Sequence, residues 1–177
     1  GRIVEDYVSF VDLAPTFLEV AGLSWADSGL AASPGRSLVG LLRSGQSGQV
    51  DPARDRVLIG KERHDVGRPQ DQGYPIRGLV KAGWLYLHNF EPGRWPAGNP
   101  ETGYLNCDAG PTKTEVLKAR TTPATRRFWE LSFGPRPTEE LYDLAQDPDC
   151  LRNLVEAPAH ASRLAQWRRE LFDALRS

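Results

Sequence analysis

Ile76-Arg77-Gly78-Leu79-Val80-Lys81-Ala82-Gly83-Trp84-Leu85-Tyr86-Leu87-His88-Asn89-Phe90 places two runs of aliphatic and aromatic residues on either side of Ala82-Gly83. Such side chains suit a pleated surface, and a two-residue connection ending in Gly suits a tight hairpin. The stretch predicts an antiparallel hairpin, and the rest of the fold reads outward from it. Upstream, the apolar run Val57-Leu58-Ile59-Gly60 predicts a short buried strand. Downstream, Glu140-Leu141-Tyr142-Asp143-Leu144 predicts a last strand. Pro158 to Arg176 predicts a terminal helix, with Leu164, Trp167, Leu171 and Leu175 at three- and four-residue steps. Between these, Pro92, Pro96, Pro100 and Pro111 keep Glu91 to Pro111 irregular. Lys113 to Ala119 and Ala124 to Phe133 read as short helices. The sum is an α+β class, a small antiparallel sheet with a packed C-terminal helix.

The N-terminal third has a different rhythm. Residues 8–22 read as a helix: Ser9 and Asp12 have the spacing of a capping arrangement, Leu13, Phe17 and Val20 share one apolar face, and Gly22 supplies a left-handed stop. Pro15 fits only in the first turn. Residues 24–36 read as a loop and Ser37 to Leu42 as a short helix. The composition shift near residues 44–54, a polar linker ending at Arg54, is the candidate domain boundary.

The chain has 177 residues, 40% of them hydrophobic and 25% charged, as expected of a globular protein. A net charge of −1 gives no electrostatic case for a nucleic-acid partner. No apolar run is long enough for a transmembrane segment. The first residues carry no signal-peptide pattern and the sequence contains no Met, so the expectation is a piece of something longer. Cys107 and Cys150 lack metal-ligand spacing, and one distant pair carries no disulfide framework; unpaired thiols are expected.

Three segments resemble the C-terminal region of the sulfatase family, within the alkaline-phosphatase-like superfamily. They are Val8-Ser9-Phe10-Val11-Asp12-Leu13-Ala14-Pro15-Thr16 leading to Ala21-Gly22; Gly60-Lys61-Glu62-Arg63-His64 with Gly73-Tyr74-Pro75-Ile76-Arg77 and Trp84-Leu85-Tyr86; and Glu140-Leu141-Tyr142-Asp143-Leu144 with Asp147-Pro148 and Asn153-Leu154. Glu62-Arg63-His64, Phe90-Glu91-Pro92 and Arg94-Trp95-Pro96 look most like the heparan N-sulfatase-like branch. The resemblance implies that residues 1–50 are a remnant of a large α/β catalytic domain, its late helix and linker, and that 51–177 form the C-terminal subdomain. It also implies a formylglycine nucleophile, made from Cys or Ser in a C/S-x-P-x-R motif, and a calcium ion. Neither Cys107 nor Cys150 is followed by Pro and Arg at those offsets. Nucleophile and calcium are therefore expected in an upstream catalytic domain, the implied partner, with no cofactor bound here and no catalytic residue here. A periplasmic or extracellular parent is the family expectation.

The candidate substrate-binding residues are His64, Arg63, Asp65 and Arg68. They crowd a loop after a strand, and imidazole and guanidinium groups suit sulfate oxygens and sugar hydroxyls. The bland alternative is a solvated loop whose charges pair among themselves. Arg77 is divided evenly between that pocket and a structural pairing. Lys61 reads as a solvent-facing strand end. Trp95 is the best candidate for an exposed sugar platform, whereas Trp84, Trp129 and Trp167 read as core. Asp143, Asp147 and Asp149 lack calcium-loop spacing and read as turn and cap residues, and His88 and His160 as structural. Two other functions stay open: a non-catalytic glycan-binding or interaction module, and the tail of a related phosphodiesterase or phosphonate hydrolase. If the sulfatase reading holds, the apolar face of the 8–22 helix should stay exposed in this chain alone.

Overall fold

The computed structural model describes residues 1–62, 69–99, 104, 105, 107 and 109–176. Among the described residues, five α-helices and six strands follow in chain order: α1 (Leu13–Val20), α2 (Val39–Arg43), β1 (Arg56–Lys61), β2 (Ile76–Lys81), β3 (Trp84–Asn89), β4 (Gly98–Asn99), β5 (Tyr104–Leu105), α3 (Pro111–Ala119), α4 (Arg126–Phe133), β6 (Glu139–Asp143) and α5 (Ala161–Ala174). The main sheet has the order β1-β2-β3-β6 and is antiparallel, and β4 pairs with β5 in a separate small ladder. The α+β expectation holds. Residues group into two compact units, Gly1–Leu58 with Val80–Ala82, and Ile59–Leu79 with Gly83–Ser177.

Between β2 and β3, Ala82 and Gly83 both have positive φ, +49° and +75°. This is the mirror-image turn that matches the twist of a two-residue hairpin. On β3 and β6, Tyr86 lies opposite Leu141 and Leu85 opposite Tyr142. Side chains alternate between faces, so one face buries Leu79, Tyr86 and Leu141 against Leu164, Trp167 and Leu171 of α5. Leu175, at the end of the expected helical stripe, is exposed. A polar clamp fixes α5: Arg168 donates two hydrogen bonds to Glu139, at 2.8 and 2.5 Å, and the Tyr86 hydroxyl donates to the same carboxylate at 2.6 Å. The Arg168 bonds hold the Glu139 carboxyl below its usual range, while burial and Glu139 push the Tyr86 phenol up. Asn153 closes the free edge of β6 by accepting from the Leu141 amide and donating to the Glu139 carbonyl. A second cluster joins α3 and α4 through Ala119, Trp129 and Phe133.

β1 departs from the sequence reading. Leu58 and Ile59 are exposed, because the strand lies at the sheet edge and is not buried between layers. Trp95 also departs: it is half-buried and packs edge-on against Trp129 with ring centres 5.8 Å apart, so its ring is part of a core and not a free platform. Asp143 and Asp147 behave as expected. Asp143 accepts from the Ala145 amide, and Asp147 from the amides of Leu151 and Arg152. Cys107 and Cys150 are free thiols.

The first unit is built around charge. Asp6, Asp12, Thr16 and Arg54 are buried, beside a small apolar core of Val39 and Leu41. Arg54, read from sequence as the end of a polar linker, pairs with Asp12 at 2.8 Å and donates to the carbonyls of Arg36 and Ser37 at 2.8 and 3.0 Å. Burial alone would raise the Asp12 carboxyl. The amides of Arg36 and Ser9 and the Arg54 guanidinium outweigh it and hold Asp12 below its ordinary 3.8. The expected 8–22 helix is α1 preceded by a 3-10 turn at Phe10–Asp12. Pro15 sits in its first turn, and Gly22 (φ +74°) ends it while the Leu23 amide reaches back to Leu18 at 2.9 Å.

Candidate substrate-binding loop and its base

The four candidate substrate-binding residues, Arg63, His64, Asp65 and Arg68, lie outside the described residues. What is described is the base that carries them. The loop leaves the sheet at the end of β1 and returns at the start of β2, and its two stems are tied together. The Tyr74 amide donates to the Glu62 carbonyl at 2.8 Å, and Tyr74 is almost wholly buried. Gly73 is required at this crossing, since a Cβ there would lie 2.7 Å from the Glu62 carbonyl oxygen. Gln70 and Asp71 both take left-handed backbone on the returning stem.

Arg77 and Arg94 reinforce the base. Arg77 donates to Glu62 Oε2 at 2.8 Å and to the Lys61 carbonyl at 3.2 Å. Its even division between pocket and structure thus resolves toward structure: the guanidinium is occupied in joining β2 to the outgoing stem. Arg94 donates to the Gly73 carbonyl at 3.0 Å and lies 3.4 Å from Glu91. Sequence reading singled out neither Glu62 nor Arg94 as an anchor. The available signal was the opposite charge of Glu62, just past β1, and Arg77 on β2, whose pairing needs the sheet to be known first. A hollow of about 380 Å³ beside the base is lined by Pro75, Arg77, Phe90 and Leu175.

The sheet face away from α5 carries a second hollow, of about 390 Å³. Leu85, Leu87, Tyr142 and Glu140 form its floor, with Lys61 and Arg136 at its margin. Glu140 is buried and accepts from Asn89 Nδ2 at 2.8 Å and from the Tyr142 hydroxyl at 2.5 Å. Lys61 is therefore half-buried at a groove margin, where sequence reading expected a solvent-facing strand end. His88 packs edge-on between Phe90 and Phe172, and His160 lies against Trp84, which also carries Arg163 stacked 3.8 Å from its ring centre. Both histidines are packing residues.

Among the described residues no group of three His, Cys, Asp or Glu side chains is placed to hold a metal ion. No described helix is long and apolar enough to cross a membrane.

No known family profile matches the chain. Two curated relatives do. N-sulphoglucosamine sulphohydrolase of Homo sapiens is 27% identical over 188 residues, covering 98% of this chain and 34% of the relative. The ulvan-active sulfatase of Formosa agariphila is 27% identical over 169 residues, covering 93% and 24%. The chain resembles part of a sulfatase. Two solved structures share the fold of this sulfatase-like chain. BT4656, in complex with its substrate D-glucosamine-2-N,6-O-disulfate, superposes with a TM-score of 0.51 at 15% identity, covering 93% of this chain and 23% of that one. BT1596, a 2-O GAG sulfatase, gives a TM-score of 0.50 at 21% identity, covering 93% and 24%. The sequence resemblance and the α+β reading agree with these comparisons. The sulfatase-like chain spans about a third or less of the length of the curated relatives it matches.

Proposed function

We propose that this chain is part of a sulfatase that hydrolyses sulfate esters or N-sulfates of sugars, where it supplies a wall of the substrate pocket and not the nucleophile. The observation that carries this reading is the likeness to N-sulphoglucosamine sulphohydrolase along 98% of the chain. The tied base supports it in detail. Two strands, Tyr74, Gly73, Arg77 and Arg94 hold both stems of one loop, as a recognition loop needs if its side chains are to meet a ligand at fixed positions.

On this reading Arg63, His64 and Arg68 donate to sulfate oxygens or sugar hydroxyls, and Asp65 accepts from a hydroxyl. Charge-assisted hydrogen bonds of this kind select an anionic sugar by geometry as well as by charge. Formylglycine and calcium belong, in this proposal, to a catalytic α/β domain that is the chain's partner. The test uses the complete gene product and measures sulfate release from N-sulfated, 2-O-sulfated and 6-O-sulfated glucosamines, with a phosphodiester as comparison. His64→Ala should raise KM by about tenfold or more with little change in kcat, the pattern of lost uniform binding. Release of phosphate but not sulfate would transfer the proposal to phosphoryl chemistry. Binding of sulfated sugars with no hydrolysis would leave only a recognition module.

A further inference from the structure

The hollow on the sheet face away from α5 lies outside the proposed function, and its charges are unevenly placed. Glu140 is 5% exposed and lines it. Among the described residues its carboxylate is held by two neutral donors, Asn89 Nδ2 at 2.8 Å and the Tyr142 hydroxyl at 2.5 Å, and by no cation. A buried carboxylate is costly unless a positive charge comes to it. Asn89 is wholly buried and shares the sheet face of Leu85 and Leu87 by strand alternation. Its Nδ2 also serves the Pro137 carbonyl at 2.6 Å, while its Oδ1 is buried with no donor among the described residues. Both partners of Nδ2 are acceptors, so turning the amide over would relieve nothing. The polar knot beneath the hollow is short of donors and of positive charge.

The margin has the opposite sign. Arg136 is half-buried there, and its guanidinium donates to the Leu131 carbonyl; among the described residues it forms no ion pair with Glu140. Its charge is felt at the Tyr142 phenol, where it opposes the upward push of burial and Glu140. Lys61 stands at the same margin. Asp149 lines the hollow as well, but it is exposed, and salt and water screen it. Opposite charges in a poorly solvated hollow attract strongly. Here each is tied to other partners, which holds acid and base apart across the apolar surface of Leu85 and Leu87.

We propose that this hollow binds a small zwitterion with one charge at each end of an apolar stem, an ω-amino carboxylate, whose ammonium meets Glu140 and whose carboxylate meets Arg136. The ammonium brings the donors and the positive charge that the buried knot lacks. The stem covers Leu85 and Leu87, and the carboxylate accepts charge-assisted bonds from the guanidinium. Apolar walls with a few convergent polar groups are the usual build of a small-molecule site, and about 390 Å³ leaves room for a stem of several carbons. Neither Glu140 nor Arg136 belongs to the candidate substrate loop or its base, so the proposal stands apart from the sulfatase reading.

Ligand-observed NMR titration of the complete gene product tests it with ε-aminocaproate, with hexylamine, which lacks the anion, and with caproate, which lacks the cation. ε-Aminocaproate should bind about tenfold or more tightly than caproate, and Glu140→Gln, which keeps the shape and removes the charge, should erase that advantage. Arg136→Gln should weaken ε-aminocaproate about tenfold and leave hexylamine within about twofold, a contrast that a loosened fold would not produce. No binding of ε-aminocaproate at millimolar concentration overturns the proposal. Equal affinity for caproate does so too, since the hollow is then only an apolar patch. Equal affinity for hexylamine, or an Arg136→Gln variant that weakens both amines alike, removes the margin from the site and overturns the two-ended ligand.

Discussion

Replacing Arg54 by alanine would remove the one guanidinium at the centre of the first unit's buried network. Arg54 is 2% exposed; it neutralises Asp12 and serves the carbonyls of Arg36 and Ser37. Breaking a buried ion pair from one side costs about 3–5 kcal/mol, because the remaining charge stays buried without its partner. Asp12 keeps two donors, the amides of Arg36 and Ser9 at 2.8 and 3.1 Å, which pulls the expected cost toward the lower end. Two carbonyls lose a donor, which pulls it back by about 1 kcal/mol each. The expectation is about 3–4 kcal/mol, or roughly a hundred- to a thousandfold faster exchange through local opening. Hydrogen exchange followed by mass spectrometry reads this locally. Peptides spanning residues 9–20 and 34–40 should lose protection, while the β3 segment 84–89 keeps it. The double replacement Arg54→Met with Asp12→Leu should recover much of the loss, since an apolar pair of similar volume avoids the desolvation penalty. A loss below about 1 kcal/mol in Arg54→Ala, or equal loss in both units, would refute the reasoning.

Two further perturbations test other parts of the structure. His88 is held below its ordinary 6.5 by burial, with Glu139 opposing that shift and Arg168 reinforcing it. The unfolded state then binds the extra proton more readily than the folded one, so stability should be complete above pH 6.5 and fall as pH drops below it. Urea unfolding from pH 7.5 to about 5 should show this slope, and His88→Leu should flatten it; an unchanged slope assigns it to other groups. In β2, a Cβ on Gly78 would meet Leu87 Cδ2 at 2.6 Å, Ile59 Cγ1 at 2.9 Å and the Tyr86 carbonyl at 3.0 Å. Gly78→Ala should destabilise by about 1–3 kcal/mol through overpacking. Gly40→Ala in α2 has open space and should be neutral or stabilising by about 0.5–1 kcal/mol, and equal unfolding midpoints for the two variants would contradict both assignments.

The base of the candidate loop shows where sequence reading reaches its end. The loop's position was legible, because a strand ends at Lys61 and the hairpin begins at Ile76. Its anchors were not, because Arg77 meets Glu62 across 15 residues and Arg94 meets the Gly73 carbonyl across 21, and no local pattern reports such partners. Trp95 misled for a related reason. A Pro-flanked aromatic in an irregular segment looks free, and its partner Trp129 stands on α4, brought in only by the chain's return. Leu58 and Ile59 looked buried because an apolar run shows hydrophobicity but not whether its strand is central or at an edge.

Local chemistry by itself determined the hairpin at Ala82-Gly83, the terminal helix with Trp167 and Leu171 inward, the stop at Gly22 and the sulfatase resemblance. Each depends on neighbours a few residues apart, which backbone sterics and side-chain periodicity couple directly. Tertiary structure alone decided which charges are buried and which apolar faces are covered. Arg54 finds Asp12 from 42 residues away, and that ion pair turns the polar side of α1 inward and leaves Phe10 and Phe17 facing out. Periodicity tells that a helix has two faces; the packing of distant residues tells which one meets water.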